Sequence, residues 1–128
     1  MEVLLRVVSG VLLAAHGLVH LLYFVTNAQD PRWPFTLARS WVLPEPARRP
    51  VGVGLVGVTV VLFVLLGLAV WGVPGLSAIW PVLAVAGSAA SLVTLALFWD
   101  AQLVFGVAID VALIVLAVVR PEWTNRIG

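Results

Sequence analysis

His16, His20 and Asp110 each sit inside a long apolar run, where ionisable side chains are rare. At the centre of a bilayer such a group costs about 2.5–3.5 kcal/mol on insertion scales, so it turns toward a bundle interior, finds a partner and marks a binding or proton-transfer site. His16 and His20 are four residues apart, which places them one turn apart on one helix face. Ser9, Leu13 and Tyr23 continue that face, so the segment presents a polar stripe of Ser9, His16, His20 and Tyr23. Gly17 beside the stripe permits a neighbouring helix to approach closely. Asp110 shares its own face with Gly106, Leu103 and Trp99.

Imidazole beside carboxylate supports several chemistries. It can hold a quinone oxygen or relay a proton, and this is the functional reading favoured here. His at i and i+4 with a carboxylate as third ligand is also metal geometry, with His16, His20 and Asp110 as the ligands. A haem held from both faces is excluded, because the two histidines project from one side of one helix; a single-His haem stays open. Nucleophilic catalysis is poorly served, since no Ser sits with a His and an acid in an obvious arrangement. The plain structural alternative is that Asp110 accepts a bond from a His and fixes how two helices pack.

The elements that must position these residues follow from composition. Of 128 residues, 62% are hydrophobic and only 10% charged, against about 25% charged in soluble domains. Four apolar runs, 3–25, 51–71, 78–98 and 101–119, each approach the roughly 20 residues needed to cross about 30 Å of hydrocarbon. Backbone in lipid must satisfy itself, so these are helices despite their Val and Ile content. The fold class is all-α: one domain, a four-helix antiparallel transmembrane bundle. Trp71, Trp80, Trp99 and Trp123 fall at the run ends, as interfacial indoles do. The first loop, 27–50, is long and carries Pro31, Pro34, Pro44, Pro46 and Pro50 with Trp33 and Trp41. It is expected to lie along the membrane interface, partly as a short helix at 35–41. The later links are tight, Gly72-Val73-Pro74-Gly75 and Trp99-Asp100.

With this layout His16 and Asp110 sit at matching depth, each roughly 14 Å from the long-loop side at 1.5 Å per residue. The matched depths allow a His16–Asp110 contact. His20 should lie a turn nearer the surface, toward Trp99, Asp100 and Gln102, so Tyr23, Asp100 and Gln102 join the candidate binding residues. The third helix carries a small-residue stripe, Ala84, Gly87, Ser91 and Thr94 with Ser88 adjacent, read as packing with hydroxyls bonded back to helix carbonyls. The second has only Thr59 mid-span and is expected to be the lipid-facing scaffold. Gly52, Gly54 and Gly57 spell G-x-G-x-x-G, but no strand precedes them, and small residues for helix packing explain the motif better than dinucleotide binding.

Several classes fall away. Cys is absent, which removes disulfides and thiolate chemistry. All seven basic residues are Arg and form no patch interleaved with aromatics, so nucleic acid is not expected as a partner. The N-terminal run lacks a small residue at the minus-three position before Ala15 and continues to Val25, so it reads as a retained helix rather than a cleaved signal. Arg6, Arg120 and Arg126 fall on one side of the bilayer, and Arg32, Arg39, Arg48 and Arg49 on the other.

Leu5-Arg6, Gly10, Gly17 and His20 resemble the opening of the DoxX-like family of small four-helix membrane proteins. Those begin with an Arg, a Gly four residues on, and a second Gly followed three residues later by a basic residue, which in that family is Lys. The long first loop and tight later turns look similar as well. The resemblance implies a bacterial cytoplasmic membrane, both termini cytoplasmic, and a membrane subunit associated with quinone-linked or thiol redox systems. Small size and sparse catalytic groups agree with a non-catalytic accessory subunit of a larger membrane complex, with quinone as the ligand class considered first for its His/Asp site, ahead of haem or metal. The alternatives are a small proton-coupled transporter or channel working as a homo-oligomer, and a small membrane enzyme holding a metal or haem.

Overall fold

The computed structural model describes residues 2–24 and 32–126. Among them there is no strand, and four helical segments are long and apolar enough to cross a membrane: Glu2–Phe24, Glu45–Val70, Ser77–Leu97 and Ala101–Val119. Helix α1 is Glu2–Val19 and tightens into a 3₁₀ turn over His20–Phe24; α2 is Glu45–Val70. A 3₁₀ turn at Ser77–Ile79 leads into α3, Trp80–Leu97, and another at Ala101–Leu103 leads into α4, Val104–Val119. Successive helices run antiparallel. α1 packs on α2, α2 on α3 and α3 on α4. The row curls until α1 and α4 meet through side chains, although among the described residues their backbones do not pack closely.

Small residues set the closest crossing. A Cβ on Gly17 would stand 2.4 Å from the Cβ of Phe63, and one on Gly67 would stand 2.8 Å from the carbonyl oxygen of Gly10. The α1 and α2 backbones therefore touch because neither residue has a side chain. The link from α2 to α3 turns through Gly72 and Gly75, both at positive φ, where a Cβ would be strained.

Four differences from the sequence-based expectations have physical causes. α2 begins at Glu45 rather than 51, because Pro46 stands in its first turn, where a missing N–H costs nothing, and Pro50 is carried inside. No helix forms at 35–41. There the side chains of Thr36 and Ser40 accept from nearby backbone N–H groups, and the Arg48 guanidinium donates to the carbonyls of Ala38, Ser40 and Leu43. α2 is not a lipid-facing scaffold but an inner helix: Thr59 is fully buried, and α4 rather than α2 has the least buried span. The glycine motif divides, with Gly52 packed against Leu37 and Phe98 while Gly54 and Gly57 face open space. Residues 27–31 of the expected loop lie outside the described residues.

Two apolar clusters form the core. One holds Phe63, Leu66, Trp80, Leu83 and Ala117; the other holds Tyr23, Leu37, Val56, Leu95, Phe98 and Leu103. Between them every helix contributes a polar side chain. Thr59 stands between Val56 and Phe63 on α2, His16 and His20 between Leu13 and Tyr23, Ser88 and Ser91 between Ala84 and Leu95, and Asp110 between Leu103 and Ala117. The bundle is apolar above and below one polar layer.

Candidate functional site

The layer is built on two histidines that do different jobs. His20 is 3% exposed, and its Nδ1 lies 3.0 Å from the carbonyl oxygen of His16 and 3.2 Å from that of Gly17. Carbonyls only accept, so Nδ1 carries the hydrogen and donates. In the neutral ring Nε2 is then an acceptor, and the hydroxyl of Ser91 donates to it at 2.8 Å. The side chain takes up carbonyls that α1 would otherwise use, and the helix changes to a 3₁₀ turn at this residue. His20 thereby ties α1 to α3.

His16 ties α1 to α4. Its Nε2 lies 2.9 Å from Oδ1 of Asp110. The Asp110 side chain is fully buried and that of His16 is 11% exposed. The imidazole stands edge-on to Phe63 at 4.8 Å and to His20 at 5.6 Å between ring centroids. The matching depth expected from the sequence is thus realised as a direct contact. Two further polar atoms of the layer, Asp110 Oδ2 and Ser88 Oγ, are buried and make no hydrogen bond with the described residues. Buried polar groups are nearly always bonded, so two such atoms in one layer call for a partner beyond the described residues, an ordered water included.

The other expected members lie elsewhere. Tyr23 donates from its hydroxyl to the carbonyl of Phe98 at 3.4 Å and packs on Phe35, in the apolar cluster beyond the layer. Asp100 and Gln102 do not reach His20. Asp100 accepts from the backbone N–H of Gln102 and from Arg39, and the Gln102 side chain donates to the carbonyl of Arg32. Those two residues fasten the first loop to the α3–α4 turn. The Trp41 indole donates to the carbonyl of Ala96 and helps them. A three-ligand metal set is also unsupported by geometry: both ring nitrogens of His20 are engaged, and among the described residues no three His, Asp or Glu gather to hold an ion.

In the sequence, Ser88 and Ser91 read as packing residues with hydroxyls bonded back to helix carbonyls. For Thr94, whose hydroxyl bonds back to Ala90, that holds. Ser91 instead meets His20, and Ser88 stays unbonded. The signal was their spacing: Ala84, Ser88 and Ser91 share a face, at the level of the two histidines.

Next to the layer, between α1 and α4, lies a cleft of about 690 Å³. Ser9, Leu13, Leu66, Ala84, Leu113 and Leu116 line it, and Arg6 and Trp123 stand where the helices begin and end. Leu5 and Leu12, at its rim, are exposed.

Fold and site together define a class: an all-α, four-helix integral membrane protein with a polar layer buried at mid-depth. Compared with known protein families, curated proteins and solved structures, the chain finds no match in any of the three.

Proposed function

We propose that this chain is an accessory subunit of a quinone-linked membrane redox complex, and that the α1–α4 seam is where it meets the quinone pool. The observation that carries this reading is the His16–Asp110 pair, buried in a seam that the backbones leave open. Imidazole with carboxylate suits a quinone oxygen and the protons that accompany its reduction. The chain has no Cys and no three-ligand metal set among the described residues, so electrons would have to come from a partner protein. The DoxX-like pattern of Arg6, Gly10, Gly17 and His20 points the same way, and the reading includes both termini on the cytoplasmic face of a bacterial membrane.

Native purification from the source membrane, followed by an absorption spectrum and solvent extraction for quinone, tests the reading. Expected are a co-purifying redox protein and stoichiometric quinone, both lost in His16→Ala with Asp110→Ala. A stable homo-oligomer without a redox partner, taking up solute with protons in liposomes, would replace it with the transporter reading.

A further inference from the structure

The cleft ends one helical turn short of the polar layer. On three helices a cleft-lining residue is followed, one turn further in on the same face, by a polar one: Leu13 by His16, Ala84 by Ser88, and Leu113 by Asp110. The unbonded atoms, Ser88 Oγ and Asp110 Oδ2, belong to that inner end. Oδ1 of Asp110 is committed to His16. With the proton of the pair held between them, Oδ2 offers only lone pairs and takes a donor. The Ser88 hydroxyl can give or take a hydrogen bond. The cleft volume, about 690 Å³, falls within the roughly 300–1,000 Å³ of small-molecule sites, and its walls are mainly leucine and other apolar side chains.

We infer that this site binds one amphiphile, head inward, whose head carries a donor hydroxyl: a hydroquinone, the reduced form of a membrane quinone. The ring assignment rests on the function proposed above; the need for a donor hydroxyl does not. A hydroquinone O–H meets Oδ2 of Asp110, while its chain lies along the leucines toward the rim. An oxidised quinone brings only carbonyl oxygens, which would face Oδ2 lone pair to lone pair. A phosphate-bearing head would bring a second negative charge to a fully buried carboxylate. Leu13 and Leu113, both partly buried, stand between cleft and layer, so binding of the head requires their side chains to change rotamer.

Anaerobic calorimetric titration of the full chain in nanodiscs, with decylubiquinol and separately with decylubiquinone, tests this. One hydrogen bond to a charged acceptor is expected to make the quinol bind about tenfold tighter or more. Asp110→Asn keeps an oxygen for His16 and places an N–H donor where Oδ2 stood, so the preference should invert toward the quinone. Leu113→Trp fills the inner cleft and should abolish binding of both. Equal binding of the two forms, binding of neither, or an unchanged preference in Asp110→Asn overturns the inference. If Asp110→Asn does not assemble, Ser88→Ala and Leu113→Trp decide, and undiminished quinol binding in both overturns it. Selective quinol binding without any co-purifying redox protein would overturn the subunit role alone, and a redox partner without quinol selectivity would overturn the site alone.

Discussion

At the scale of single residues, the two serines of α3 make the sharpest contrast. Ser91 donates to His20, so Ser91→Ala leaves a buried ring nitrogen without its partner and should cost about 1–3 kcal/mol. Ser88 has no partner within the described residues, so Ser88→Ala removes a desolvated hydroxyl and should leave stability unchanged or slightly raised. Reversible unfolding of both variants in bicelles checks the difference. His16→Ala breaks a buried side-chain bond between α1 and α4, and interhelical bonds in membranes average about 0.6 and reach about 1.7 kcal/mol, so a loss in the upper part of that range is expected for this pair. The His16–Asp110 contact was legible in the sequence because two ionisable groups at one depth of hydrocarbon have few partners to choose from. The Ser91 partnership was not, because a serine among alanines and glycines on a helix face has a packing explanation at least as good. Asp100 and Gln102 were less legible, because position along a helix does not fix direction, and both turn toward the first loop.

At the scale of elements, helix number and approximate span were readable from hydropathy alone, because lipid forces each apolar run to satisfy its own backbone. Helix neighbours were not. Thr59 is a weak polar signal on α2, yet α2 lies inside the row because Gly10, Gly17 and Gly67 let α1 close on it from one side and α3 packs on the other. This makes a clean pair of substitutions. Gly17→Ala drives a methyl group to 2.4 Å from Phe63 and should cost about 1–3 kcal/mol as overpacking. Gly57→Ala meets nothing within 4 Å and should stabilise α2 by up to about 1 kcal/mol through helix propensity. Opposite signs in the same unfolding assay would verify that α1, not a missing partner, is packed against α2. Where a loop helix is expected at 35–41, side chains hold the backbone instead: Thr36 and Ser40 accept from backbone N–H groups, and Arg48 donates to the carbonyls of Ala38, Ser40 and Leu43.

At the scale of the whole molecule, the antiparallel order places the α2–α3 turn and the end of α4 on one side of the bilayer and the first loop on the other. The chain contains no Cys, so single cysteines can be introduced into a silent background. Val73→Cys and Trp123→Cys should react with a membrane-impermeant maleimide from the same side, and Trp41→Cys from the opposite side; a shared side for all three would refute the four-span order. All three positions are exposed. The layered core has a further consequence. The cleft is bordered by exposed Leu5 and Leu12 along α1 and by Glu2 and Arg6 where that helix starts. A molecule entering past the leucines comes from the leaflet, and its occupancy would track mole fraction among the lipids, with hydrocarbon tails as the standing competitors. One entering past Glu2 and Arg6 comes from water, and dilution of the aqueous phase would then empty the cleft.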